Sequence, residues 1–491
     1  MSRHCLAVAL AALLAGCAVG PGFHPEPVVP ATSQVGGGAR SDSARAFFDS
    51  LVVARAADSA GPGVAPTPAR SIAADSLADL AWLDILHDTT LTRLVETAVR
   101  QNRDLALAEA RIREYRAQAG VARGPLFPSL TANGSASTNK IVLGAFPPVE
   151  YKAWRVTADV AWELDFWGRV RRGMQAAGAD VEATQAAARA AVLSLVSDVA
   201  SGYLELLELD QELQISEQTL ASRSATLDLA RRRYAMGVIS ELDVRQFEAQ
   251  VAVPAARLAQ VELLRATQEH ALSVLLGAGP MAIPRGTDLA GAARTVVVPD
   301  SLPATLLARR PDVQQAEREY AAATARIGVA VAARLPTVMI TGTAGSQAAN
   351  SADLFSAQAN IYQLQAGISL PLFTGGRLVN QTRAARARAE QARARYEQTA
   401  LVALREAGDA LAGVRTTRDQ VAARDTQAKA LRRALQLANV RYQTGVSNYL
   451  EVLDAQRSLF EAEIALSQAQ LSQVTAAVQL YKALGGSWTA Q

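Results

Sequence analysis

The chain has 491 residues, 50% hydrophobic but only 5% aromatic, and its 49 basic and 46 acidic residues leave a formal charge of +3. Alanine is the commonest residue of the apolar half, so the average residue buries little area and close helix packing is favoured over one large core, which argues against a big globular enzyme. The balanced charge gives no sign of nucleic-acid binding. His4, His24, His87 and His270 are scattered and Cys5 and Cys17 fall in the first 17 residues, so neither a metal site nor a disulfide framework is expected.

Arg3 and His4 precede an apolar run over residues 5–14, too short for a membrane-spanning helix but suited to a signal peptide over 1–16. The run ends in Leu14-Ala15-Gly16-Cys17, which resembles a bacterial lipobox. That resemblance implies a covalent lipid on Cys17 as the only prosthetic group, and with Ala18 next it implies transport to the outer membrane. The alternative is a cut after a nearby alanine, leaving Cys17 as a free thiol. Residues 17–80, with segments such as Pro25-Glu26-Pro27 and Gly61-Pro62-Gly63, are expected to form a flexible tether. A helical turn over 44–53 is left open.

The remainder is a duplication. At an offset of 208 residues, Asp104 aligns with Asp312, Gly120 with Gly328, Pro128 with Pro336, Gly168 with Gly376, Arg233 with Arg441, Tyr234 with Tyr442, Gly237 with Gly445 and Gly277 with Gly485. Chance matches in alanine-rich helices would be mostly Ala on Ala. The repeats are placed at 81–280 and 304–486, joined by a linker over 281–303 and followed by a tail over 487–491.

Each repeat opens with a predicted helix (about 91–122 and 304–333) that stops at proline. Period-two alternation comes next, predicting strands at about 127–137 and 152–166, then 335–345 and 361–373. In the second strand Trp154, Val156, Ala158, Val160 and Trp162 interleave with Arg155, Thr157, Asp159 and Ala161. A soluble sandwich would bury such apolar faces. The strand lengths and the aromatic residues near one strand's ends, Trp154, Trp162, Phe166 and Trp167, favour lipid and an interfacial girdle instead. Four strands cannot close a barrel, for which about eight are needed, and open edges are not tolerated in lipid. A trimer sharing twelve strands is the simplest closed solution. Long helices are predicted at 168–232, 241–276, 376–440 and 449–483, the longer ones about 100 Å at 1.5 Å per residue, which requires a helical tube. Pro254 is expected to kink or break its helix.

The segments Trp162-Glu163-Leu164-Asp165-Phe166-Trp167-Gly168-Arg169, Leu370-Pro371-Leu372-Phe373-Thr374-Gly375-Gly376-Arg377, Arg441-Tyr442-Gln443-Thr444-Gly445-Val446 and Leu450-Glu451-Val452-Leu453-Asp454-Ala455-Gln456-Arg457 occur together at repeat spacing. Over nearly the whole chain after Cys17 they make it resemble an outer-membrane factor of the TolC type, in the lipoprotein branch that serves RND-type efflux pumps. The resemblance implies an α+β membrane protein, a homotrimer whose twelve-stranded outer-membrane barrel continues into a periplasmic α-helical barrel. Two departures stand out: a long tether, and an imperfect Gly20-Pro21-Gly22-Phe23 start that leaves the contacts of the N-terminal arm open.

The turns at 233–240 and 441–448 then become helix-hairpin tips that dock a periplasmic adaptor, through Gly237, Val238, Ile239, Gly445, Val446 and Ser447. The plainer reading is that they only close the hairpins, with glycine supplying positive φ; both can hold. The same resemblance assigns Tyr442, Leu450, Glu451, Asp454 and Arg457 to a closed pore entrance. Three copies of Glu451 and Asp454 near one axis would repel and would favour cations. The alternative is a solvated helix face with an Asp454–Arg457 pair. Ser447 stands where some family members carry an arginine. The implied function is a passive exit channel for drugs, toxic compounds or metal ions, delivered by an inner-membrane pump through the adaptor. The alternatives are the duct of a type I protein-secretion system and a poreless spacer. No nucleophile elbow, phosphate loop, HExxH or His-carboxylate cluster supports an enzyme.

Overall fold

The computed structural model describes residues 18–23, 34–36, 88–142, 147–294, 301–303, 309–447 and 449–486. The expected signal peptide, Cys17, nearly all of the tether and the tail lie outside these residues. In chain order the elements are β1 (Gln34–Gly36), α1 (Thr89–Gln101), α2 (Arg103–Arg123), β2 (Ser129–Ile141), β3 (Val149–Leu164), α3 (Arg169–Ala235), α4 (Glu241–Leu275), α5 (Leu289–Arg294), β4 (Ser301–Pro303), α6 (Pro311–Ala332), β5 (Thr337–Ala348), β6 (Asn360–Ser369), α7 (Arg377–Gln443) and α8 (Tyr449–Ala483). The duplication is exact in these bounds: α3 and α7 have 67 residues each, α4 and α8 have 35, and both pairs are offset by 208.

Three expected elements differ in detail. The helix expected over 91–122 is two helices, because Asn102 is extended and its side chain caps α2, accepting from the N–H groups of Asp104 (2.8 Å) and Leu105 (3.1 Å). The last strand ends at Ser369, since Pro371 cannot continue a ladder. Pro254 neither ends nor divides α4. The carbonyl it orphans, that of Gln250, accepts from Arg223 Nη1 at 2.8 Å instead.

Two compact units are present. The first gathers Glu109–Ala187 and Gln314–Thr399 with the N-terminal residues. Its centre is an antiparallel sheet in the order β2-β3-β5-β6, in which Trp162 faces Ile340 and Ala158 faces both Ala132 and Ala344. One face is polar and internally bonded. Asp159 accepts from Asn133 (2.7 Å), Thr157 (3.0 Å) and Thr343 (2.6 Å), which links three strands. The other face is apolar and uncovered, with Leu130, Tyr362, Leu364 and Ile368 more than 70% exposed. A soluble sandwich would bury that face, whereas a membrane barrel turns it to lipid.

The second unit gathers Val28–Ala108, Ala188–Val313 and Ala400–Gln491. Its core joins Leu91, Leu94 and Val95 of α1, Leu195, Val199 and Leu206 of α3, and Val474 and Val478 of α8. Tyr203, fully buried, donates to Asp88 (2.9 Å) and accepts from the Gly286 N–H (2.7 Å). Asp88 caps α1 and also receives Thr287. Burial opposes its charge, but the bonds from Thr287, Tyr203, Leu91 and Thr90 outweigh that and hold its carboxyl below the usual range.

Candidate functional site

Both hairpin tips are built by the same local chemistry. After α3, the Gly237 N–H reaches the Tyr234 carbonyl (2.8 Å) and the Val238 N–H reaches Arg233 (2.9 Å); after α7, Gly445 reaches Tyr442 (3.1 Å) and Val446 reaches Arg441 (2.9 Å). Gly237 and Gly445 hold φ of 72° and 76°, the left-handed conformation that closes a helix C-terminus and favours glycine. The tips present apolar side chains to solvent: Val238 is 66% exposed and Val446 67%, with Met236 and Leu242 beside the first tip similarly open. Ile239 is half-buried and packs on the cluster of Leu227, Val244 and Phe247. The Ser447 hydroxyl is buried without a partner.

Beyond the glycine the two tips differ. At the first, Ser240 and Asp243 form a reciprocal cap, and the bonds from Ser240 hold the Asp243 carboxyl below its usual range. At the second, the equivalent acid Glu451 instead meets Arg441 at 3.3 Å. Asp454 pairs with Arg457 at 2.8 Å, and both are exposed. The first repeat has Gln246 and Ala249 at those positions, so the Asp454–Arg457 pair belongs to the second repeat alone. Leu450 is 56% exposed beside it.

Tyr442 joins the repeats. Its hydroxyl accepts from Arg233 Nη1 at 2.5 Å, the guanidinium lies 5.0 Å from its ring centroid, and its ring meets Tyr449 edge-on at 5.1 Å. Tyr449 stacks in turn on Phe247 at 3.9 Å, and burial pushes its phenol above the usual range. The offset comparison singles out Arg233 and Tyr442 as repeated residues, but a bond between one repeat's arginine and the other's tyrosine leaves no trace in spacing.

Of the aromatic set, Trp162, Phe166 and Trp167 gather where the sheet gives way to helix. The Trp162 indole donates to the Leu126 carbonyl (3.0 Å) and that of Trp167 to Pro336 (2.7 Å). Trp154 sits eight residues earlier within β3, about 26 Å along a strand rising 3.3 Å per residue. At a strand tilt of about 35–45° that separation rises about 19–22 Å, most of the height of an apolar band about 25 Å tall. The shared motif is a helix start: Glu163 pairs with Arg169 through two bonds, and Asp165 accepts from the N–H groups of Val170 (3.1 Å) and Arg171 (2.9 Å).

Residues 18–23 are fastened to the same end of the sheet. The Val19 N–H donates to the Trp167 carbonyl (3.0 Å), Arg172 donates to that of Gly20 (3.2 Å), and the Phe23 ring meets Tyr320 edge-on at 5.2 Å. Gly20, at φ 113°, admits Gly328 so closely that a Cβ would lie 2.6 Å from its Cα. The imperfect N-terminal motif therefore still makes an ordered contact, and it sets Val19 against Trp167.

Known proteins agree with this geometry. The family model described as "Outer membrane efflux protein" matches residues 94–278 and again 302–486. The probable efflux pump outer membrane protein TtgC of Pseudomonas putida is 36% identical over 439 residues, 88% of this chain and 89% of that protein. OprJ of Pseudomonas aeruginosa is 35% identical over 417 residues, covering 83% and 86%. Other relatives from Pseudomonas putida are named for toluene efflux and pyoverdine export. Among solved structures, the outer-membrane channel OprN superposes with a TM-score of 0.77 at 31% identity, over 87% of this chain and 98% of that one. CusC superposes at 0.80 with 27% identity over 96% and 100%. The chain belongs to the outer membrane efflux protein family.

Proposed function

We propose that three copies of this chain form the exit duct of a tripartite efflux pump, with the barrel in the outer membrane and the helices in the periplasm. The observation that carries this reading is the four-stranded sheet, with an uncovered apolar face, a bonded polar face and two unpaired edges, β2 and β6. Unpaired edges in lipid are prohibitively costly, and pairing β6 of one copy with β2 of the next removes all of them in a twelve-stranded ring. The tips at Gly237, Val238, Gly445 and Val446 dock a periplasmic adaptor, which links the duct to an inner-membrane pump of the RND type. Glu451, Asp454 and Arg457, with Tyr442 and Leu450 beside them, form the gate. Cys17 carries the lipid, and the likeness of Leu14-Ala15-Gly16-Cys17 to a lipobox supports this. Relatives named for cargoes as unlike as toluene and pyoverdine support a permissive duct whose substrate is chosen by the pump.

Purified protein in planar bilayers tests this reading. Discrete channels are expected, with larger conductance after Glu451→Ala and Asp454→Ala, and the detergent-solubilised mass should be that of a trimer. A monomer without conductance would refute the duct. Co-purification with an ABC exporter in place of an RND pump would move the assignment to type I secretion.

A further inference from the structure

We propose that the first five turns of α7 give the duct a positively charged inner segment that favours anionic permeants. This rests on the trimeric channel reading and adds a substrate charge class to it. Between residues 377 and 395 the helix carries Arg377, Arg383, Arg386, Arg388, Arg393 and Arg395 against one acid, Glu390. Arg393 is paired with Glu397 (2.8 Å). Among the described residues no carboxylate comes within ion-pair distance of the other five, which are exposed.

The other repeat handles the same stretch differently. Asp180 and Glu182 of α3 stand where α7 has Arg388 and Glu390. They pair with Arg326 and Arg318 of α6, the latter at 3.1 Å. The arginines of α6 are thus neutralised by α3, and five of those at the start of α7 are left over.

Helical geometry decides where the surplus points. At about 100° per residue, the buried Leu378, Thr382, Ala385 and Ala389 cluster about 110° round from Arg377. Of these, Ala385 and Ala389 pack on Ala323 and Ile327 of α6, and Thr382 Oγ1 donates to the Ala330 carbonyl (3.3 Å). In a closed ring α7 has a second neighbour on the opposite side, contributed by the next copy. The α2 helix suits that place, since Leu105 is its one buried residue. The inner and outer faces of α7 are then the two sectors about 90° either side of the α6 contact. One holds Arg377, Arg388 and Arg395, at about 0–20°, and the other holds Arg383, Arg386 and Arg393, at about 160–240°, together with Glu390 and Glu397 at about 200–220°. The first sector brings three arginines and no acid per chain, and the second three arginines against two acids, so either leaves a positive surplus that is larger in the first. Arranged threefold inside a narrow wall, such charges raise the local concentration of anions.

The test is ion selectivity in planar bilayers under a salt gradient, at low ionic strength, where the Debye length is about 30 Å. The background is Glu451→Ala with Asp454→Ala, so that the tip acids do not dominate the reversal potential. Two triple variants are compared with that background, Arg377→Gln/Arg388→Gln/Arg395→Gln and Arg383→Gln/Arg386→Gln/Arg393→Gln. One of them should raise the cation-to-anion permeability ratio by about twofold or more, and its lysine counterpart should restore the background value. Trimeric, conducting channels in which neither triple moves the ratio would overturn the proposal while leaving the duct intact. Absence of conductance from the unmodified protein would instead overturn the duct, and this proposal with it.

Discussion

The guanidinium of Arg223 takes the hydrogen-bonding place that Pro254 leaves empty. Gln250 lies one turn before the proline, so its carbonyl has no helical N–H to receive, and Arg223 Nη1 donates to it at 2.8 Å while Nη2 reaches the Gln456 carbonyl of α8 at 3.4 Å. In the second repeat the equivalent positions are Leu431 and Ala462, so the proline and its arginine are absent together. Arg223→Leu should therefore destabilise the protein by about 2–3 kcal/mol. In a Pro254→Ala background the loss should be smaller by about 1 kcal/mol, because the helical bond returns. Denaturant unfolding of the four members of the cycle measures this, and strictly additive losses would show that the two residues act independently.

That pair marks where the sequence is legible and where it is not. Glycine, proline and a 208-residue offset locate the long helices to within a few residues, because a helix end is a local event written in capping residues. Whether a proline breaks a helix depends on a donor 31 positions away on another helix, and nothing near Pro254 encodes it. The break at Asn102 is hidden for a similar reason, since an asparagine between Gln101 and Arg103 interrupts no hydrophobic period and its amide donates to the distant Leu275 carbonyl. At the second tip, Glu451, Asp454 and Arg457 are readable through family motifs. The bond from Arg233 to Tyr442, and the seat of Ile239 on the Phe247 cluster, require the packing of the two hairpins.

Asn102 and Arg310, 208 residues apart, perform one task with different chemistry. Asn102 donates to the Leu275 carbonyl at the end of α4 (3.0 Å), and Arg310 donates to the Ala483 carbonyl at the end of α8 (3.0 Å). Arg310 is 6% exposed and also binds Asp312 and Glu406, both at 2.7 Å. Arg310→Ala should cost about 3 kcal/mol. Arg310→Asn should recover part of it, because an asparagine amide spans the same distance in the first repeat. Thermal unfolding of the detergent-solubilised protein distinguishes them, and an asparagine variant as unstable as the alanine one would contradict the equivalence.

Tyr442 ties the second hairpin to the first repeat through both a hydrogen bond and its ring. Tyr442→Phe removes only the bond from Arg233 and keeps the contact with Tyr449, so channel conductance should rise modestly. Tyr442→Ala removes both and should raise conductance further, approaching the effect of Arg233→Ala combined with Asp454→Ala. Single-channel recording reads all three. Equal conductance in the phenylalanine and alanine variants would mean that the ring does not restrain the tip.

Glu208 supplies a pH dependence whose sign can be worked out. It is 5% exposed, with one carboxylate oxygen lacking any hydrogen-bond partner. Glu205 and Glu212 share its helix, Ser467 approaches from α8, and Arg257 of α4 is engaged by Glu212. Burial, reinforced by the Glu212 charge, pushes the Glu208 carboxyl up to about 7 from an ordinary value of 4.5. Between those two values the folded chain keeps a proton that the unfolded chain releases, so stability falls as pH rises through the window and levels off above it. Glu208→Gln holds the group neutral at every pH. The variant should match the parent near the lower end and exceed it above the window by a few kcal/mol, on the order of 1.4 kcal/mol for each tenfold difference in proton affinity between the two states. Unfolding measured across the window checks this, and a parent curve that rises with pH, or a glutamine variant that falls in parallel with it, would assign the titration to another group.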